Sequence, residues 1–155
     1  MMLRLAMILA LSAGSAAACE VPAGLSALRG DLLAQTNAER AAHGLDSLAA
    51  DTRLDAAAQI QACRMADRER LTHRGSWFAG LGRRLRREDY RYAMAVENIG
   101  EGHTSVAQII RGWMDSPEHR HNMLVQGAVD AGYGVARGDN GRLHWSMVAA
   151  APRVD

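Results

Sequence analysis

The 155-residue sequence contains no lysine, so all eighteen of its Lys/Arg-type cations are arginines. A GC-rich genome produces such a bias by codon choice, and it carries no functional argument. Nor is there an excess of one charge: seventeen Asp and Glu offset the arginines to a formal net charge of +1, which gives no global case for a nucleic-acid partner. Beyond the first eighteen residues no apolar run is long enough to cross a bilayer. Internal repeats, low-complexity tracts and interdomain linkers are absent as well, and the length suits one domain. Cysteine is scarce: Cys19 and Cys63 are the whole complement.

Residues 1–18 carry Arg4, an apolar run from Leu5 to Leu11 and the small residues Ser15-Ala16-Ala17-Ala18, the pattern of a cleavable signal peptide. A secreted or periplasmic product, residues 19–155, is therefore expected. In an oxidising compartment two cysteines pair most simply as a disulfide, Cys19–Cys63, tying the mature N-terminus to a helix. The alternative is lipidation of Cys19, for which Ala16-Ala17-Ala18-Cys19 is a poor signal because a larger aliphatic residue is expected at the Ala16 position.

Helical spacing of Leu28, Leu32 and Leu33 predicts a first helix from Leu25 to a stop near Gly44. A second follows Asp51, with Thr52 and Asp55 as a capping box and Leu54, Ala58, Ala62 and Met65 as its buried stripe. The alanines allow close packing. Arg83-Arg84-Leu85-Arg86-Arg87 reads as a short helix with a solvated arginine face and Leu81 and Leu85 turned inward; contact with phosphates or lipid headgroups is the sharper reading. Thr104 or Ser105 caps a third long helix bearing Val106, Ile109, Ile110 and Trp113 on one face. The stretch from Ala131 to Val148, broken at Gly138-Asp139-Asn140-Gly141, reads as a β-hairpin.

The densest chemistry lies in Trp113–Leu124. Ser116 reads as an N-cap and Pro117 as the first helical residue, which puts Glu118 and His119 in the first turn. There the positive end of the helix dipole favours a carboxylate and a neutral imidazole. Leu71-Thr72-His73-Arg74-Gly75-Ser76 and Ala95-Val96-Glu97-Asn98-Ile99-Gly100 are the other two chemistry-bearing segments. His121 points to another helix face than His119, and His144 lies beside Trp145 on the last strand; both read as packing or surface residues. Ser116 and Ser76 lack the context of an activated nucleophile.

In this order and at these separations the three segments, with Asn37-Ala38-Glu39-Arg40 ahead of them, resemble the CAP superfamily of cysteine-rich secretory, antigen 5 and pathogenesis-related proteins, in its single-domain bacterial form. The resemblance runs from about Leu25 to Val148. It implies an α+β fold, a three-layer α-β-α sandwich around a small antiparallel sheet, and a cleft with two histidines and two glutamates, the histidines able to bind a divalent metal such as zinc. By motif, His73 and His119 match the histidines and Glu97 one glutamate. The sequence departs at the second glutamate, where Asp115, Ser116 and Glu118 fill the neighbourhood and Glu118 is the candidate.

Two imidazoles make a weak zinc site at most, since structural zinc wants four protein ligands and catalytic zinc usually three. The expected function is thus an exported, monomeric binding module that requires no cofactor. Its candidate ligands are a small lipid or sterol-like molecule, an envelope component or a protein partner. The alternative is a metal-assisted hydrolase, a peptidase, using His73, Glu97 and His119. A third reading, an envelope-tethered structural module, requires lipid on Cys19.

Overall fold

The coordinates, a computed structural model, describe residues 19–72 and 80–154. The expected leader and His73 lie outside them. The elements run α1 (Leu25–Ala42), β1 (Ala49–Ala50), α2 (Thr52–Asp67), α3 (Leu81–Arg87), β2 (Tyr92–Glu101), α4 (Val106–Asp115), α5 (Pro117–Met123), β3 (Asp130–Arg137) and β4 (Leu143–Pro152). The strands form one sheet in the order β1-β3-β4-β2. Helices α1, α4 and α5 cover one face and α2 and α3 the other, giving the expected sandwich.

One strand departs from an all-antiparallel sheet. β1 pairs in parallel with β3 through Ala49 and Ala50. Two residues are too few to show alternation, which is why the sequence pattern did not reveal them. The cap of α2 also differs from the expected box: Asp51, not Thr52, accepts from the Arg53 and Leu54 N–H groups at 2.8 and 3.4 Å. Asp55 is thereby left for another task.

That task lies on β3. Between Ala131 and the single bridge at Arg137, no strand among the described residues pairs with its outer side, and an open edge leaves backbone groups that need partners. Side chains supply them. Asp55 Oδ1 accepts from the Tyr133 N–H at 2.8 Å, and Arg29 Nε donates to the Tyr133 carbonyl at 2.8 Å. Gln59 accepts from the Val135 N–H at 3.1 Å and donates to its carbonyl at 2.8 Å, imitating a paired strand residue. The Glu20 carbonyl then accepts from the Arg137 N–H at 2.8 Å. A Cys19–Cys63 disulfide, with Cα atoms 5.3 Å apart, holds Glu20 in that position against α2.

These contacts require α2 to lie unusually close to the sheet. Its buried side presents Leu54, Ala57, Ala58, Ala62 and Ala66, and β3 answers with Gly132 and Gly134. A Cβ at either glycine would overlap α2 backbone atoms, at Leu54 and Asp55 or at Ala58 and Gln59. On the other face Leu32, Ile109, Ile110, Trp113, Tyr133 and Trp145 fill a larger, conventional core.

Gly134→Ala is therefore expected to cost about 3 kcal/mol, the upper end of overpacking penalties, because rigid backbone rather than a flexible side chain blocks the new methyl. Gly30→Ala, at an exposed interior position of α1 with open space around it, should instead stabilise by about 0.5–1 kcal/mol. Urea denaturation of both variants checks the contrast; equal effects would rule out the close-packing account.

Candidate functional site

Edge strand β2 organises the site, because successive residues on it face opposite sides of the sheet. Glu97 is level with Val148 and faces α2 and α3; Asn98 is level with Met147 and faces α5.

On the α3 side Glu97 meets Arg84. The Arg84 Nη2 donates to Glu97 Oε2 in an ion pair whose side chains are only 2% and 6% exposed. The same guanidinium donates through Nε to the Ala57 carbonyl at 3.1 Å and through Nη1 to Gln61 Oε1 at 2.9 Å. Gln61 in turn donates from Nε2 to the Thr72 carbonyl at 2.5 Å. A continuous series of bonds thus runs from Glu97 through Arg84 and Gln61 to the residue preceding His73. Burial, with a smaller contribution from the nearby Arg64 charge, lowers the Arg84 guanidinium to about 10, which still leaves it charged at neutral pH.

The expected solvated arginine face of α3 needs correction at this position. Leu85 is buried and Leu81 half-buried as anticipated, and Arg83, Arg86 and Arg87 are exposed, but Arg84 points into the protein. A charge run gives no hint of which member is buried. The signal lay in the Leu81–Leu85 spacing, since the residue before Leu85 borders the same inward face.

On the α5 side, Asn98 Nδ2 donates to the His119 carbonyl at 2.8 Å. Asn122, one turn on, donates from Nδ2 to Asn98 Oδ1 at 2.9 Å and to the Glu97 carbonyl at 3.2 Å. Two amides therefore clamp the first turn of α5 onto the backbone of residues 97 and 98. The far end of α5 is held by Arg40, a buried residue whose Nη1 donates to the Met123 and Val125 carbonyls at 3.0 and 3.1 Å while its Nε donates to the Asp46 carbonyl at 2.9 Å. Asn37, three residues earlier, exchanges two bonds with the Leu48 backbone at 2.8 and 3.0 Å. The Asn37–Arg40 motif thus holds loops and the end of α5.

The start of α5 arises from one residue. Ser116 is at once the C-cap of α4 and the N-cap of α5, with extended φ −93° and ψ 122°, and Pro117 follows at the first helical position. Its side chain makes no capping bond, contrary to the usual role of serine there. His119 is half-buried in this first turn, whereas Glu118 and His121 are exposed. The structure brings the His119 backbone to residues 97 and 98, and Glu118 shows no side-chain bond to them. His73 lies outside the described residues.

Among the described residues no cluster of three or more His, Cys, Asp or Glu side chains is placed to hold a metal ion. Glu97 is engaged by Arg84, and no chemistry is derived through a metal.

His144 is fully buried on the α2 face, and neither ring nitrogen has a hydrogen-bond partner among the described residues; Ser146 Oγ beside it is likewise unpaired. Burial lowers the His144 pKa below its ordinary 6.5, against smaller opposing effects of Glu101 and Glu69. It is a packing residue, as the sequence suggested.

The Cysteine-rich secretory protein family model, CAP, matches residues 33–149. The uncharacterized protein YkwD of Bacillus subtilis (strain 168) is 28% identical over 113 residues, 73% of this chain and 44% of that protein. The chain thus spans less than half the length of the curated relative it matches. Among solved structures, an outer surface protein of Borrelia burgdorferi superposes with a TM-score of 0.72 at 16% identity, covering 79% of this chain and 90% of that one. An extracellular protein containing an SCP domain from Bacillus anthracis gives 0.70 at 25% identity, covering 79% of this chain and 40% of that one.

Two outcomes are expected of the buried charges. Arg84→Met removes the buried cation facing the Glu97 carboxylate and should destabilise by about 3–5 kcal/mol, whereas Arg84→Met combined with Glu97→Leu should recover much of the loss; denaturation of the single and double variants reads the difference. For His144, the unfolded chain binds a proton near pH 6.5 and the folded chain only at lower pH, so stability falls as the medium is acidified through 6.5. A His144→Leu variant should lose that part of the pH dependence between pH 8 and 5, and identical profiles would contradict it.

Proposed function

The chain belongs to the cysteine-rich secretory protein (CAP) family, and from that premise we propose that it is an exported binding module rather than an enzyme. The carrying observation is the pair of bond networks that meet at residues 97 and 98. One runs through Arg84 and Gln61 to Thr72, and the other runs through Asn98 and Asn122 to His119. These support a cleft along β2 to which residue 119 and the segment ending at Thr72 both contribute. They also favour binding over reaction. A general base must reach the proton it takes, and the Glu97 carboxylate is instead held in a buried charge-assisted bond to Arg84.

Export is supported by the leader-like first eighteen residues and by the Cys19–Cys63 disulfide, which persists in oxidising compartments. Among the described residues no helix is long and apolar enough to cross a membrane. For the small lipid or sterol-like ligand the support lies apart from that cleft, at the opposite edge of the sheet, in a cavity of about 360 Å³ beside β1 and β3. Leu33, Ala50, Ala131 and Tyr133 border it beside the Arg29 and Asp55 charges, and its volume lies in the range of small-ligand sites.

A fluorescent polyene fatty acid serves as the probe. Saturable binding to the mature protein is expected, reduced in Leu33→Trp, which fills the cavity; binding that is unchanged in this variant removes the small-lipid assignment. In parallel, a mixed peptide substrate incubated with protein and zinc should remain uncleaved. Zinc-dependent cleavage that disappears in His119→Ala would establish the hydrolase instead.

A further inference from the structure

The arginine run of α3 does more than supply Arg84. Arg86, from α3, meets Arg91 and Tyr92, from the entry to β2, and Arg153, which follows β4, around a groove of about 520 Å³. Three guanidinium groups, two from the neighbouring α3 and β2 entry and the third from the far end of the chain after β4, therefore border one concavity in a chain whose net charge is only +1. Such convergence is a property of the fold and not of the composition.

The scaffold fixes their positions. The Arg153 N–H donates to the Arg91 carbonyl at 2.8 Å, extending the β2–β4 ladder by one step and setting these two residues side by side. Next to them Tyr92 is level with Pro152, and the register shifts between Tyr92 and Met94. Tyr92 leans onto α3 at Gly82. A Cβ there would overlap the Tyr92 hydroxyl and lie 3.5 Å from Arg86 Nη1, so the hydroxyl and one guanidinium meet over the same point of the helix. Among the described residues no carboxylate borders the groove, and neither Arg86 nor Arg153 has an ion-pair partner. The nearby Glu88 faces Arg87 at 3.9 Å instead.

Guanidinium groups present planar forks of donors that match phosphate oxygens in pairs, and a tyrosine hydroxyl adds a neutral donor. We propose that this groove binds a phosphate-bearing anion. The same chemistry suits the headgroup of an anionic phospholipid and a free phosphate compound. The groove opens at the end of the sheet formed by the start of β2 and the end of β4, and it shares no lining residue with the cavity at the β1–β3 edge.

The test uses the mature protein with two probes, inorganic pyrophosphate followed by calorimetry and vesicles of phosphatidylglycerol in phosphatidylcholine followed by co-sedimentation. Saturable binding to at least one probe is expected, weakened roughly tenfold or more in Arg86→Gln/Arg153→Gln. A control with equal charge loss elsewhere, Arg68→Gln/Arg111→Gln, should bind as wild type. Binding to the anionic vesicles identifies a headgroup; binding to pyrophosphate alone identifies a free phosphate compound. Binding to neither, equal binding to pure phosphatidylcholine vesicles, or equal losses in the two double variants overturns the proposal. Circular dichroism of each variant confirms that it is folded.

Discussion

The close approach of α2 to β3 is the constraint on which the rest of the molecule depends. With Gly132 and Gly134 opposite an alanine-faced helix, the polar side chains of that helix come within reach of the strand's backbone. Asp55 and Gln59 can then stand in for a strand that β1, two residues long, does not supply. Had α2 stood at an ordinary helix–sheet distance, Tyr133 and Val135 would present unpaired backbone groups at an open edge. The same proximity lets Cys63 reach Cys19 and brings Ala57 and Gln61 against Arg84. Edge closure and the support of the candidate site are two results of one packing distance.

Much of this was legible in the sequence where a periodic pattern is long. The stripes of α2 and α4, the stop of α1 at Gly44, the bounds of α3 and the glycine-punctuated hairpin all follow from spacing, and the residues named on those stripes are buried. What escaped lies where local rules are degenerate. Asp51 and Thr52 are both good caps, and only the demand of the Tyr133 N–H for an acceptor decides that Asp55 turns toward the sheet. β1 exists because β3 offers it a partner, which no two-residue window can reveal.

The candidate site shows the same division. Motif order pointed to Glu97 and His119, yet it said nothing of what holds them. Arg84 looked like one of several solvated arginines, and Gln61 and Asn122 carried no signal at all. These three residues connect the site segments to one another. Supporting residues of this kind are visible only once topology has put α2, α3 and α5 around one strand. The arginine run illustrates the converse: one short helix serves the interior with Arg84 and the exterior with Arg86.

The position of β4 in the sheet has a consequence for how the chain reaches this structure. β4 is the last described element in sequence, yet it is central, and among the described residues β2 pairs with no other strand. A nascent chain that stops short of Leu143 can form α1, α2 and the turn into β3, but nothing joins β2 with the Asn98 and Glu97 backbone to the remainder of the sheet. Assembly is therefore a matter of long sequence separations closed late, the regime in which folding is slow. Until Leu143–Pro152 has been made, β2 lacks the strand that joins it to the rest of the sheet, and the fold is completed from its final strand inward.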